Sequence, residues 1–282
     1  MSWDEFVHWA RRMSDEVDID TEEYNYKRDL AQRLATVREQ LLGGDPGWST
    51  ALLAELNPSK QNLLHWRFVQ NNVRPAIQDH EDVIREAILL LWGGGAPAVE
   101  SLDDFTAKYR SVATVSPGNA TALGALLLMA RDPGKYPPYR PEPLHKWCLL
   151  TGLTPPSGRA SPSERYGALL DFCDAFIERA QEQDLGLRDR LDAQGLAWTV
   201  TQWGIPESWN PEDRAALAAF RRAKLGAGAD ESEEDRGQRA WLVRPKPHGS
   251  ATVAQWTRDG FVSLVAQYLG DVPVGSDLAR VR

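Results

Sequence analysis

Cysteine is nearly absent. The 282-residue chain has two, Cys148 and Cys173, and no CxxC pair. That excludes a disulfide framework and a zinc ribbon, and both thiols are expected in the core. No apolar run reaches the ~18–20 residues that a bilayer span requires. The N-terminus MSWDEFVHWARRM lacks the basic, apolar and small-residue plan of an export signal, so a cytoplasmic protein with no membrane partner is expected.

The signatures of chemistry are missing as well. The glycine-rich stretches GGGAPAVES and GAGADES have no lysine to reach a phosphate, and no G-x-G-x-x-G joins a strand to a helix. His80-Glu81 has no second histidine four residues on. Asp18, Asp20 and Glu22 alternate as in a calcium loop, but the glycine at loop position six and the glutamate at twelve are absent, so they read as an acidic helix start. The five histidines are scattered, and His145 three residues before Cys148 is expected to be structural. Asp103-Asp104 are adjacent and read as surface residues. No catalytic residue, metal or cofactor is expected, and the chain is not expected to be an enzyme in its own right.

Acids outnumber bases, for a net charge of −8. A protein that coats nucleic acid needs a positive surface, and this chain has none globally. The imbalance is uneven. Residues 1–56 carry six cations against twelve acids, and residues 57–150 carry ten against nine. A local basic patch is therefore compatible with the middle of the chain.

Hydrophobic periodicity predicts a mainly α protein, with a multi-helix domain over residues 1–225. Helices are expected over 3–17, with Trp3, Phe6, Val7, Ala10 and Met13 inward, and over 21–42, with Leu30, Leu34, Val37, Leu41 and Leu42 inward, ending at Gly43-Gly44. Asn57-Pro58 reads as a helix start running to about Asn72, and Pro75 as the start of another that stops at Gly93. Further helices are expected over 101–110, from Ser116-Pro117 through Met129, over 143–151, from Ser161 or Ser163 to about Gln183, over 187–203 and over 211–225. The 117–129 helix has almost no polar face, which places it centrally. GAGADESEEDRGQR, residues 226–239, reads as an acidic linker. Residues 240–282 alternate strand and helix patterns, the opening of a small α/β segment too short to fold comfortably alone.

Two stretches stand out as candidate contacts for nucleic acid. ARDPGKYPPYRPEPLHKW, residues 130–147, combines prolines, aromatics and bases. Arg131, Lys135, Arg140 and Lys146 can neutralise phosphates, and Tyr136 and Tyr139 can stack on bases. The same composition also describes a stiff strap that docks both tyrosines inward on the protein's own core. NLLHWRFVQNN, residues 62–72, offers Asn62, Arg67 and Asn71, residue types that read base edges or, equally, cap a helix end. The eleven tryptophans are expected mostly in the core, with one or two available to line a base-stacking pocket.

The segments LNPSKQNLLHWRFVQNNV, VSPGNATALGALLLMARDPGKYPPYRPEPLHKWCLLTG, LRDRLDAQGLAW and RAWLVRPKPHGSATVAQWTRDGFVSLVAQYLGD, in that order, resemble the N-terminal region of McrB-type restriction ATPases or GTPases. These are AAA+ proteins of bacterial defence. The resemblance covers roughly residues 57–282. It implies that 240–282 opens a PUA/EVE-like module, with Trp241 and Trp256 near its start as candidate cage positions for a modified base. It further implies DNA, plain or methylated, as ligand, a partner nuclease, and an AAA+ motor in the parent chain. A different class of function fits the acidic flanks: a helical interaction or assembly module with no direct DNA contact.

Overall fold

Local start signals place most of the helices. In the computed structural model, which describes residues 2–57, 59–94 and 97–225, the Ser116 hydroxyl accepts from the Asn119 amide at the head of its helix. Ser161 and Glu164 form a reciprocal capping box, and the Asp189 carboxylate accepts from the Asp192 amide. Pro117, Pro141 and Pro162 each occupy a first helical turn, where a missing N–H costs nothing.

The helices are α1 (Ser2–Glu16), α2 (Asn25–Leu42), α3 (Trp48–Glu55), α4 (Trp66–Phe68), α5 (Arg74–Asp79) and α6 (Glu81–Trp92), then α7 (Ser101–Arg110), α8 (Pro117–Leu128), α9 (Pro141–Thr151), α10 (Pro162–Gln181), α11 (Arg190–Gln202) and α12 (Pro211–Leu225). Asp20–Tyr24 is a π-helical turn leading into α2, and Val69–Val73 is a second one joining α4 to α5. No strand occurs among the described residues. The chain divides into Met1–Gly237 and Gln238–Arg282. The linker over 226–239, the α/β segment over 240–282, Trp241 and Trp256 lie outside the described residues.

The nearly all-apolar helix α8 is central, as its composition requires. Ala120, Leu123 and Ala125 to Leu128 are all buried, with α6, α7 and α10 packed around them. A second focus is aromatic. Phe172 on α10 stacks on Trp147 of α9 at 5.2 Å, and Phe176 meets Phe6 of α1 at 5.2 Å. Phe6, Val7, Ala10 and Met13 are fully buried, matching the stripe read from the sequence.

Four details depart from the sequence reading. Helix α3 was not expected, because WSTALLAE has no capping side chain and no clear polar face. Asn57 does not start a helix; its side chain accepts from the Ser59 amide in a tight turn, and helix begins only at Trp66. Pro75 stands in the first turn of α5, but α5 follows the π turn without a break and ends at Asp79, with a separate α6 running on to Trp92. A proline there has no N–H for residue 71 and crowds that carbonyl. The preceding π turn, in which the Arg74 N–H reaches back to the Val69 carbonyl, relieves this locally. Leu42, expected inward, is 45% exposed.

Helix α7 packs against α8 at Gly124, where an added Cβ would lie 2.5 Å from Leu102 and 3.1 Å from Phe105. Gly124→Ala is expected to destabilise the protein. Overpacking costs ~1–3 kcal/mol and outweighs the ~1 kcal/mol gain in helix propensity. A lower urea midpoint at unchanged m-value is the expected result.

Candidate functional site

The two stretches singled out by composition meet in space. Residues 61–68 and 71–72 form one wall of a cleft of about 920 Å³, and residues 138–143 form another. Helix α11 supplies the third. Gln194, Trp198 and Gln202, each four residues apart, lie along its cleft side. The floor comes from Glu23 of the first π turn with Tyr26 and Lys27 of α2. The second π turn contributes Asn71 and Asn72, so both π turns of the described structure border the same cleft.

Among the nine candidate residues, Asn62, Arg67, Asn71, Tyr139 and Arg140 line this cleft. Asn62 lies beside the Tyr26 phenol, and its backbone carbonyl accepts from the Arg140 guanidinium. That guanidinium lies 4.8 Å from the centroid of Trp198. Arg67 lies 5.2 Å from the ring of Trp66, which is 50% exposed at the start of α4. The His65 ring stacks on Trp66, and its Nδ1 accepts from the Arg67 amide, which orients this first turn.

The other four do not reach the cleft. Arg131 donates to the Leu91 carbonyl and covers Tyr136, which packs on the core. Lys146 pairs with Glu142 at 3.1 Å with its side chain largely buried, and the exposed Lys135 pairs with Asp132. Tyr139 lines the cleft but is only 3% exposed, its ring set edge-on to Tyr166. It has no open face for a base. The proline stretch is a strap: the Tyr166 hydroxyl donates to the Pro137 carbonyl, and Arg190 donates to the carbonyls of Gly134 and Lys135.

The floor was not foreseen. The Lys27 ammonium is buried, donating to Glu23 Oε2 and Gln194 Oε1 at 2.8 Å each. Glu23 Oε1 accepts from the Trp203 indole at 3.3 Å, and the Tyr26 phenol lies near the carboxylate. Burial pushes the Lys27 ammonium below its ordinary value; nearby Arg140 adds to this and Glu23 opposes it. Burial, then the Glu23 charge, pushes the Tyr26 phenol up. Gly195 permits the packing, since a Cβ there would lie 3.0 Å from Glu23 Cβ. The one sequence sign of this wall was the Gln194, Trp198, Gln202 spacing.

Other candidates resolve as structure. Asp103 is not a plain surface acid: it accepts from the Ser163 amide at 3.0 Å and so anchors α10. Asp20 pairs with Arg188, and Asp18 accepts from the Thr21 hydroxyl at 2.7 Å. Cys148 is buried, and burial pushes its thiol up to about 11, opposite to the shift that makes a nucleophile. The chain matches no protein-family model, no curated protein and no solved structure.

Breaking the floor pair is expected to cost more than replacing it. Glu23→Gln or Lys27→Met alone leaves one buried charge without its partner, at ~3–5 kcal/mol. The double variant is expected to lose clearly less than the sum of the two, a coupling that urea denaturation of all four proteins measures.

Proposed function

We propose that this chain is a non-catalytic recognition region that binds nucleic acid through the cleft between the 61–72 segment, the proline strap and α11. The observation carrying this is the convergence of two segments some 70 residues apart in sequence on one cleft lined by seven asparagines and glutamines, two arginines and two tryptophans. Amides and guanidinium groups match the hydrogen-bonding edges of bases, and indoles supply stacking faces. Among the described residues, Arg67 and Arg140 stack on tryptophans and form no ion pair with a carboxylate, so both are available to a phosphate.

The charge favours a short contact over a long one. With two available cations and an acidic chain, the cleft suits one or two nucleotides of a single strand or of locally opened DNA, plain or modified. A restriction-type setting, with an AAA+ motor and a nuclease as partners, is supported only by the likeness of the four sequence segments.

Fluorescence anisotropy with single-stranded and duplex oligonucleotides, plain and methylated, at two salt concentrations tests this. Single strands are expected to bind, and two phosphate contacts give only about a sevenfold loss of affinity between 50 and 200 mM salt. Trp66→Ala and Arg140→Ala are each expected to weaken binding about tenfold, the scale of one stacked base. Lys135→Ala, outside the cleft, is expected to have no effect. A folded protein that binds no oligonucleotide would leave the helical assembly module as the function.

A further inference from the structure

The floor of the cleft differs in kind from its rim. At the rim stand Arg67 and Arg140, each against an indole. At the floor, Lys27 lies between Glu23 and Gln194, with all three side chains more than nine-tenths buried and all three lining the cleft. Lys27 spends two of its three N–H donors on these neighbours. Gln194 gives its Oε1 to Lys27, and among the described residues no hydrogen bond from its Nε2 occurs.

This polarity fixes which end of a ligand goes where. A phosphate at the floor would meet the Glu23 carboxylate, 2.8 Å from the Lys27 ammonium that it neutralises. An apolar group would strip water from a buried ammonium and a buried amide and return no hydrogen bond. A heterocycle edge with ring-nitrogen or carbonyl acceptors can meet the third Lys27 donor and the Gln194 amide, and an adjacent N–H can use a spare lone pair of Glu23, whose oxygens already accept from Lys27 and Trp203. The phosphate then lies at the rim, within the field of two guanidinium groups.

The cleft also has a definite scale. About 920 Å³ falls within the range of small-molecule sites and holds a nucleotide with its sugar, whereas a long strand needs an extended basic track. We infer that the cleft is a self-sufficient mononucleotide site, seating a free nucleoside 5′-monophosphate base-first with its phosphate at Arg67 and Arg140. This rests on reading the cleft as a nucleotide-binding site, but does not need the nucleotide to belong to a strand.

Calorimetry on the whole chain with the four nucleoside monophosphates, the matching nucleosides, ribose 5-phosphate and inorganic phosphate tests the inference without altering the protein. At least one monophosphate is expected to bind with a dissociation constant below about 1 mM. Its nucleoside is expected to bind several-fold more weakly, and ribose 5-phosphate at least tenfold more weakly. Arg67→Ala with Arg140→Ala is expected to reduce the monophosphate to the affinity of the nucleoside, while nucleoside binding persists. Gln194→Leu is expected to weaken nucleoside and monophosphate alike.

Ribose 5-phosphate or phosphate binding as tightly as the nucleotide would overturn the inference, leaving a plain anion site. Oligonucleotide binding that millimolar mononucleotides fail to displace would overturn it too, while the nucleic-acid function stands. Mononucleotide binding without oligonucleotide binding would uphold the inference and remove that function.

Discussion

An ammonium group taken out of water has to be met on several sides, and Lys27 is met by residues from two parts of the chain. Glu23 comes from the π turn just before α2, and Gln194 comes from α11, more than 160 residues later. The contact therefore does two things. It closes α11 against the N-terminal part of the chain, where Gly195 allows the close approach, and it sets a charged, neutralised floor under an open cleft. A buried ion pair is weak evidence for stability, because desolvation cancels most of its attraction. An apolar pair of similar size would hold α11 equally well. What such a pair would not supply is polar chemistry at the base of a cavity.

The strap over residues 130–141 works in the opposite sense, turning suggestive composition into structure. Its carbonyls at Gly134, Lys135 and Pro137 are taken by Arg190 and Tyr166 of α11 and α10. Proline lowers the entropy lost when such a segment is fixed, and the buried Tyr139 pins it to the core. With its path set, the last residue before α9, Arg140, is placed against Trp198 and the 62–72 segment. Of the four bases in the stretch, Arg140 alone stands at the cleft; the others are spent on Asp132, Glu142 and the Leu91 carbonyl.

Much of the helical order was legible because its signals are local. Ser116-Pro117, Ser161-Pro162 and Gly43-Gly44 act through their own backbone, and α7 and α12 fall where periodicity puts them. Helix α3 was not legible, since WSTALLAE offers neither a cap nor a polar stripe. The exposed side of the cleft was legible in type: Asn62, Arg67, Asn71 and Arg140 stand out by composition, and all four line it. The floor was not. Glu23 and Lys27 are four residues apart, the commonest surface pair on a solvated helix. The packing of α11 and Trp203 against them helps to bury the pair, and nothing near them in sequence announces it.

The two π turns show why such a site is hard to read in advance. A π turn is rare and carries an extra residue, so it shifts the phase of everything that follows. At Val69–Val73 the cause is visible in the sequence, because Pro75 cannot continue a regular helix without displacing the residue-71 carbonyl. At Asp20–Tyr24 no proline is present. There the turn ends at Tyr24, whose hydroxyl donates to Asp189 at 2.7 Å, beside the Arg188 guanidinium 3.9 Å from its ring. Asp189 is also the cap of α11. The residue that starts α11 thus also holds the end of the π turn, and Glu23 and Gln194 are brought into register by one shared anchor. The floor of the cleft is then a consequence of tertiary pairing between a turn and a helix cap, a pairing between segments more than 160 residues apart that no local signal carries.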